Sequence, residues 1–264
     1  MVVQECSGVP WPRVSVVIPV LNEARNISYV VSRIPPEVHE VILVDGDSVD
    51  GTVRVARELR PDVRAVVQTP RSKWDALARG FAEATGDIVA MVDGDGSVDP
   101  GEITRFVTAL LGGAEFAKGT RFPVGGGRSD VTRLGRLGNC LLSGLVNVLF
   151  GTQYSDLCCG LSVVWRRHVP VLGLDDAAPF AASGSGRFCP DGCEVGTRIL
   201  MRVAAAGLVV AELPSLERAR IHGMSKLDSF GAGMSMLWTI LIEHHRATHR
   251  SRAAAVSVRV ASLR

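Results

Sequence analysis

Carboxylates stand where apolar runs end in this chain. Ile88-Val89-Ala90-Met91-Val92 leads straight into Asp93-Gly94-Asp95, and Glu40-Val41-Ile42-Leu43-Val44 ends in Asp45. Carboxylates two residues apart can share one hard divalent cation, with diphosphate oxygens and water completing its shell. Taken alone, an Asp-x-Asp is also a common polar turn, so its surroundings decide its meaning. Arg121, Arg128, Arg133 and Arg136 gather around the loop Val124-Gly125-Gly126-Gly127. Guanidinium forks suit bidentate phosphate contacts, and a solvated basic face has the same composition. Glu194 and Asp191 are carboxylates that could take a proton from a hydroxyl nucleophile. Cys158, Cys159, Cys189 and Cys193 fit zinc-finger spacing poorly, and the six cysteines read as reduced thiols.

The elements that must position these groups follow from the periodicity. Unbroken apolar runs suit strands buried on both faces. Such runs fall at 14–18, 40–44, 63–68, 88–92, 114–119, 163–165 and 208–213. Helical stretches lie between them, at about 24–34, 53–59, 74–84, 102–111, 140–150 and 194–206. Asp99-Pro100 reads as an N-cap followed by a first-turn proline. Strands alternating with helices mean βαβ units and a mostly parallel sheet. Asp45 and Asp93 both close such strands, so they should line one crevice at the carboxyl end of the sheet, where open α/β sheets bind ligands. Residues 175–192, rich in Ala, Ser, Gly and Pro, read as a loop that lids the site.

The chain has 264 residues, of which 47% are hydrophobic, enough for one large α/β domain with a small appendage. A net charge of +2 and 5% aromatic residues leave no field or stacking surface for nucleic acid. The first residues lack the basic region and apolar core of a signal peptide, which points to a cytoplasmic protein. Phe230 to Ile242 is too short an apolar stretch to cross a bilayer. Ser229–His245 nevertheless reads as an amphipathic helix followed by Arg246, Arg250, Arg252, Arg259 and Arg264. An apolar face beside a basic tail suits peripheral contact with the inner face of a membrane, and the same face could pack on the chain's own core.

Six stretches, in order, resemble the family 2 glycosyltransferases, and within them the polyprenyl-phosphate (dolichyl-phosphate) hexose synthases. They are Val17-Ile18-Pro19-Val20-Leu21-Asn22-Glu23, Val44-Asp45-Gly46-Asp47-Ser48-Val49-Asp50-Gly51-Thr52, and Ala84-Thr85-Gly86-Asp87-Ile88 leading to Asp93-Gly94-Asp95. Gly119-Thr120-Arg121 follows, then Asp156 with Gly160, then Glu212-Leu213-Pro214 with Arg220-Ile221-His222-Gly223-Met224-Ser225-Lys226. The resemblance implies a GT-A fold, a Rossmann-like, mostly parallel sheet flanked by helices, with a C-terminal amphipathic helix. It divides the chain into a GT-A domain over 1–228 and a helix with a basic tail over 229–264. Within the domain, a nucleotide-sugar half spans about 14–121 and an acceptor half about 122–228.

What the resemblance implies for function is inverting transfer of a hexose from a GDP- or UDP-linked donor with Mg²⁺ or Mn²⁺. Pro19, Glu23, Asp45, Lys73, Asp93, Arg220 and Lys226 would border the nucleotide-sugar, and Asp93 and Asp95 would hold the metal. Arg121 with Arg133 or Arg136 would clamp an acceptor phosphate. An anionic polyprenyl phosphate needs positioning but no strong base. A soluble hydroxyl acceptor would use Glu194 or Asp191 as base, and a non-catalytic nucleotide-sugar-binding protein is a third reading. Ser72-Lys73-Trp74 stands where the family usually has Gly-Lys-Gly, which would set the bulk of Trp74 near the nucleotide. Gly46 and Ser97 likewise replace the second Asp of the base-binding turn and the Gln after the metal Asp.

Overall fold

The computed structural model describes residues 10–68, 72–122, 127–128, 133–158, 160–175, 193–218, 220–223 and 229–261. In chain order its elements are β1 (Val14–Val20), α1 (Ala24–Arg33), β2 (Glu40–Asp45), α2 (Thr52–Leu59), β3 (Arg64–Val67), α3 (Lys73–Glu83), β4 (Ile88–Val92) and α4 (Ile103–Leu111). β5 (Phe116–Thr120), β6 (Gly127–Arg128), α5 (Arg133–Phe150), β7 (Leu161–Trp165), α6 (Val169–Leu172), α7 (Cys193–Ala205), β8 (Val210–Pro214), β9 (Leu216–Glu217) and α8 (Ser229–Ala261) follow. The expected lid over 175–192 lies, beyond Asp175, outside the described residues, as do Asp191 and Lys226.

Seven strands form one sheet in the order β3-β2-β1-β4-β7-β5-β8, and β6 pairs with β9 beside it. β3, β2, β1 and β4 run parallel, as does β5 with β8. β7 is antiparallel to both of its neighbours, β4 and β5. The register sets Val20 opposite Asp45 and Val17 opposite Met91, so the ends of β1, β2 and β4 finish together. β4 is buried along its whole length, which explains its unbroken apolar sequence.

Apolar clusters fill both faces of the sheet. One gathers Val16, Ile18, Leu43, Ala90 and Val92 with α1 and α4, and the other gathers Val17, Ile42, Met91 and Val164 with α3, α7 and α8. Asp99 caps as its sequence foretells, accepting from Gly101 N–H at 3.0 Å, but the first turn is 3₁₀ and α4 proper starts at Ile103.

α8 differs from expectation. It runs to Ala261, and the face it buries is part polar: Ala232, Ser235, Met236, Thr239, Ile240 and Glu243. Met234, Trp238 and Leu241 are exposed instead. Polar groups on the seam find partners on α7, so burial there does not demand an apolar face. Among the described residues, no helix is long and apolar enough to cross a membrane.

Candidate active site

Three turns meet at the carboxyl end of the parallel strands. Asn22 takes φ 56°, and its side chain accepts from Val49 N–H at 3.0 Å while its N–H donates to Ser48 Oγ at 2.8 Å. Ala24 N–H donates to Asp50 Oδ2 at 2.9 Å, so the turn after β1 is stitched to the turn after β2. Gly94 is required by crowding, because a Cβ there would lie 2.6 Å from Val20 Cγ1 and 3.1 Å from Pro19 O. Pro19 thus forms the floor on which the Asp93-Gly94-Asp95 turn rests.

The structure brings Glu23, Lys73, Asp93, Asp95 and Arg220 together. Lys73 Nζ donates to Asp93 Oδ1 at 2.6 Å. Arg220 reaches Glu23 Oε1 through Nη2, and its Nε lies 3.9 Å from Asp95 Oδ2. That Nε is buried and makes no hydrogen bond among the described residues. Asn26 braces the group, donating to Glu23 Oε2 at 2.6 Å and to the His222 carbonyl at 3.1 Å. Asp95 Oδ1 accepts from Ser97 N–H at 2.9 Å, so Ser97 contributes its backbone here. Behind Asp93, Gly160 lies so close that a Cβ would sit 2.9 Å from Oδ2, and its carbonyl accepts from Asp93 N–H at 3.0 Å.

Burial pushes the Asp93 carboxyl above its ordinary range, the Lys73 ammonium pulls it down, and the nearby Asp95 charge raises it again. Two crowded carboxylates, one of them desolvated, are what a divalent cation would stabilise. Among the described residues no three His, Cys, Asp or Glu side chains converge on one point. Two protein carboxylates therefore fit Mg²⁺ or Mn²⁺ provided that diphosphate and water supply the other ligands. Asp45 closes β2, one strand removed from β4, and its Oδ2 accepts from Ser48 N–H at 3.1 Å. Its Oδ1 is buried with no hydrogen-bond partner among the described residues.

The arginines expected at an acceptor phosphate lie differently from that expectation. Arg121, expected at an acceptor phosphate, is 8% exposed and gives Nε and Nη2 to Asp156 at 2.6 Å each. Glu217 stands 3.4 Å from the same guanidinium. Burial works against that charge, but the hydrogen bonds and charge of Asp156 more than compensate and raise its pKa. A buried cation needs a fixed counter-charge, and Arg121 has it inside the fold. Arg136 is exposed beside it, and the two guanidiniums lie 5.7 Å and 5.3 Å from the Phe122 ring. Arg133 opens α5, and its side chain lies outside the description.

Glu194, a candidate base, accepts from Ser235 Oγ on α8. Trp74 is not beside the nucleotide crevice but buried in the core at 3% exposure. The sequence reading missed Lys118, whose buried ammonium donates to the Asp156 carbonyl at 2.6 Å and to Glu212 at 2.7 Å. A lysine inside the apolar strand Phe-Ala-Lys-Gly-Thr was the available signal.

A βα sheet whose strand ends carry Asp45, Asp93 and Asp95, with one antiparallel strand set between β4 and β5, is a GT-A glycosyltransferase architecture. The chain belongs to glycosyl transferase family 2, whose pattern it matches over residues 15–168. It is 31% identical over 215 residues to an uncharacterized glycosyltransferase of Mycobacterium bovis, covering 81% of this chain and 89% of that one. It is 34% identical over 239 residues to a polyprenol monophosphomannose synthase of Mycolicibacterium smegmatis, covering 83% and 82%. Among solved structures it resembles glucosyl-3-phosphoglycerate synthase of Mycobacterium tuberculosis with phosphoglyceric acid, at TM-score 0.66, 24% identity and coverage of 89% and 80%. The same protein with Mn²⁺, UDP-glucose and glycerol 3-phosphate aligns at TM-score 0.64 and 23% identity, covering 89% and 80%. The chain is a transferase.

Proposed function

We propose that this glycosyltransferase moves a hexose from a GDP- or UDP-linked donor to a polyprenyl phosphate by a single inverting displacement. The observation that carries the reading is the pairing of Lys73 with Asp93 and of Arg220 with Glu23 and Asp95 around the crevice at the strand ends. Three acids, Glu23, Asp93 and Asp95, face two cations there, which leaves the crevice one negative charge in excess. A donor diphosphate would take over Lys73 and Arg220, whose cationic donors favour phosphate oxygens, while Asp93 and Asp95 hold the cation. Asp45 Oδ1 would accept from the nucleobase. Bound Mg²⁺ or Mn²⁺ would neutralise the charge that builds on the departing nucleoside diphosphate.

In the reaction a phosphate oxygen of the acceptor bonds to the anomeric carbon as the bond to the diphosphate oxygen breaks. No proton has to leave that nucleophile, so orientation and cationic donors suffice. Arg133 and Arg136, on the first turn of α5, are the proposed acceptor contacts. Glu194 already bonds Ser235, which speaks against its use as a base for a hydroxyl acceptor. The relation to a polyprenol monophosphomannose synthase supports the lipid phosphate.

A lipid acceptor would be reached by peripheral docking. Leu137, Leu141 and Val148 on α5 and Met234, Trp238 and Leu241 on α8 are exposed at helical spacing. The sequence after Glu243 holds five arginines and no acid, which favours an anionic surface. Flotation with liposomes containing anionic lipid should carry the protein upward at low salt. The acceptor is tested by Arg133→Ala, Arg136→Ala and Glu194→Gln. Loss of turnover in either arginine variant, with Glu194→Gln within a few-fold of wild type, supports the reading, and the reverse pattern contradicts it.

A further inference from the structure

The first two residues of α3 go to different places. Lys73 reaches Asp93 in the crevice, while Trp74 is packed in the core beneath α7. Two guanidiniums cover the indole, with Arg198 Cζ 4.0 Å and Arg202 Cζ 5.3 Å from the ring centroid. Both come from α7, one turn apart, and Glu243 of α8 holds them. Arg198 Nε donates to Glu243 Oε1 and Arg202 Nε to Oε2, each at 3.1 Å. Arg202 also donates to the Leu172 and Gly173 carbonyls, at 2.9 Å and 2.6 Å. The side chains of Arg198, Arg202 and Glu243 are only 5–6% exposed.

This cluster is an expensive way to anchor a helix. One buried carboxylate faces two buried guanidiniums, with half-exposed Arg246 a further 3.1 Å from it. Burial and the neighbouring Arg202 charge pull Arg198 down to about 10. Arg198 Nη2 is buried with no hydrogen-bond partner among the described residues, so the Trp74 ring supplies what the carboxylate does not. A guanidinium that has lost its water is attracted to the electron-rich face of an indole, so the ring stands in for the missing acceptor. Apolar side chains of similar volume would join α7 and α8 at least as well. What the charged arrangement adds is a fixed place for one aromatic ring, the immediate neighbour of the residue bound to Asp93.

We propose that Trp74, clamped by Arg198 and Glu243, is a positioning residue for Lys73 and, through it, for Asp93. The inference rests on the reading of Lys73 and Asp93 as donor-site residues. Because Lys73 and Trp74 share the first turn of α3, a shift of the indole swings the lysine stem. An ångström of misplacement in a bound geometry can cost about a hundredfold in rate. The clamp also ties α8 to the donor crevice through three side chains.

Calorimetric titration of UDP and of GDP with Mn²⁺ tests this as a double-mutant cycle with Lys73→Met, Trp74→Leu and the double variant. Trp74→Leu should weaken metal-dependent nucleotide binding five- to tenfold. In the Lys73→Met background the same change should cost less than twofold, because the group it positions is gone. Trp74→Phe, which keeps a ring under the guanidiniums, should recover most of the loss and stands in if the leucine variant does not fold. Equal losses in both backgrounds, or full binding by Trp74→Leu, overturn the inference alone. A wild type that binds neither nucleotide removes the donor-site reading and this inference with it.

Discussion

Replacing Asp156 with alanine would strand a cation inside the fold. The carboxylate is fully buried and receives Arg121 Nε and Nη2 at 2.6 Å, Arg121 N–H at 3.1 Å and Cys158 N–H at 3.0 Å. Among the described residues, Glu217, at 3.4 Å, would be the carboxylate left to face the guanidinium. Removing one partner of a buried ion pair costs about 3–5 kcal/mol, because the other charge is left desolvated. A domain is stable by about 5–15 kcal/mol in total. At roughly 2–4 °C per kcal/mol for a chain near this size, the melting temperature should fall by about 6–20 °C. Urea unfolding followed by circular dichroism, with scanning calorimetry beside it, measures both quantities. The double variant Arg121→Met/Asp156→Leu removes both charges at similar volume and should recover more than half of the loss. A loss below about 1 kcal/mol, or a double variant as unstable as the single one, would refute the reasoning and return Arg121 to the acceptor phosphate.

Other outcomes follow from neighbouring contacts. Gly160→Ala presses a methyl group to 2.9 Å from Asp93 Oδ2. It should weaken Mn²⁺-dependent nucleotide binding about tenfold in calorimetry, with a melting temperature within a few degrees of wild type. Glu40 is pushed up by burial but driven down to about 2 by hydrogen bonds from Ser15, Thr85 and Arg64. Because its folded pKa is depressed, its contribution is present above the unfolded value of about 4.5 and is lost as pH falls from there toward 2. Solvent screening keeps the contribution below the roughly 3.4 kcal/mol to which the full shift corresponds. Glu40→Gln should flatten the acid limb of stability against pH between those values, as urea titrations at stepped pH would show.

Much of the donor half was legible in the sequence. The runs ending in Asp45 and Asp93 are buried parallel strands because both faces of the sheet are covered, and that burial produces the unbroken apolar pattern. The turns could be aligned on one edge because parallel strands finish together. The direction of β7 was not legible, since Leu161–Trp165 is as apolar as a parallel strand and pattern carries no polarity. Side-chain partners across the fold were hidden for a similar reason. Nothing near Arg121 in the chain announces that its charge belongs to Asp156, 35 residues away. Trp74 read as bulk at the nucleotide because it stands where the family usually has the second Gly of Gly-Lys-Gly, yet adjacent helical positions face different ways. The seam of α8 misled the apolar count, since Ser235 and Glu243 are buried by virtue of partners on α7.

Under the proposed function, the crevice of Asp93 and Asp95 delivers a hexose to a lipid phosphate. Its most direct measurement is transfer of radiolabelled hexose from GDP- and UDP-linked donors to polyprenyl phosphate, with Mn²⁺ or Mg²⁺, by wild type and Asp95→Ala. The expected result is a lipid-extractable, mild-acid-labile product from one donor, abolished in the variant. Transfer to a soluble hydroxyl acceptor while polyprenyl phosphate is ignored, or undiminished lipid product from Asp95→Ala, would contradict the account.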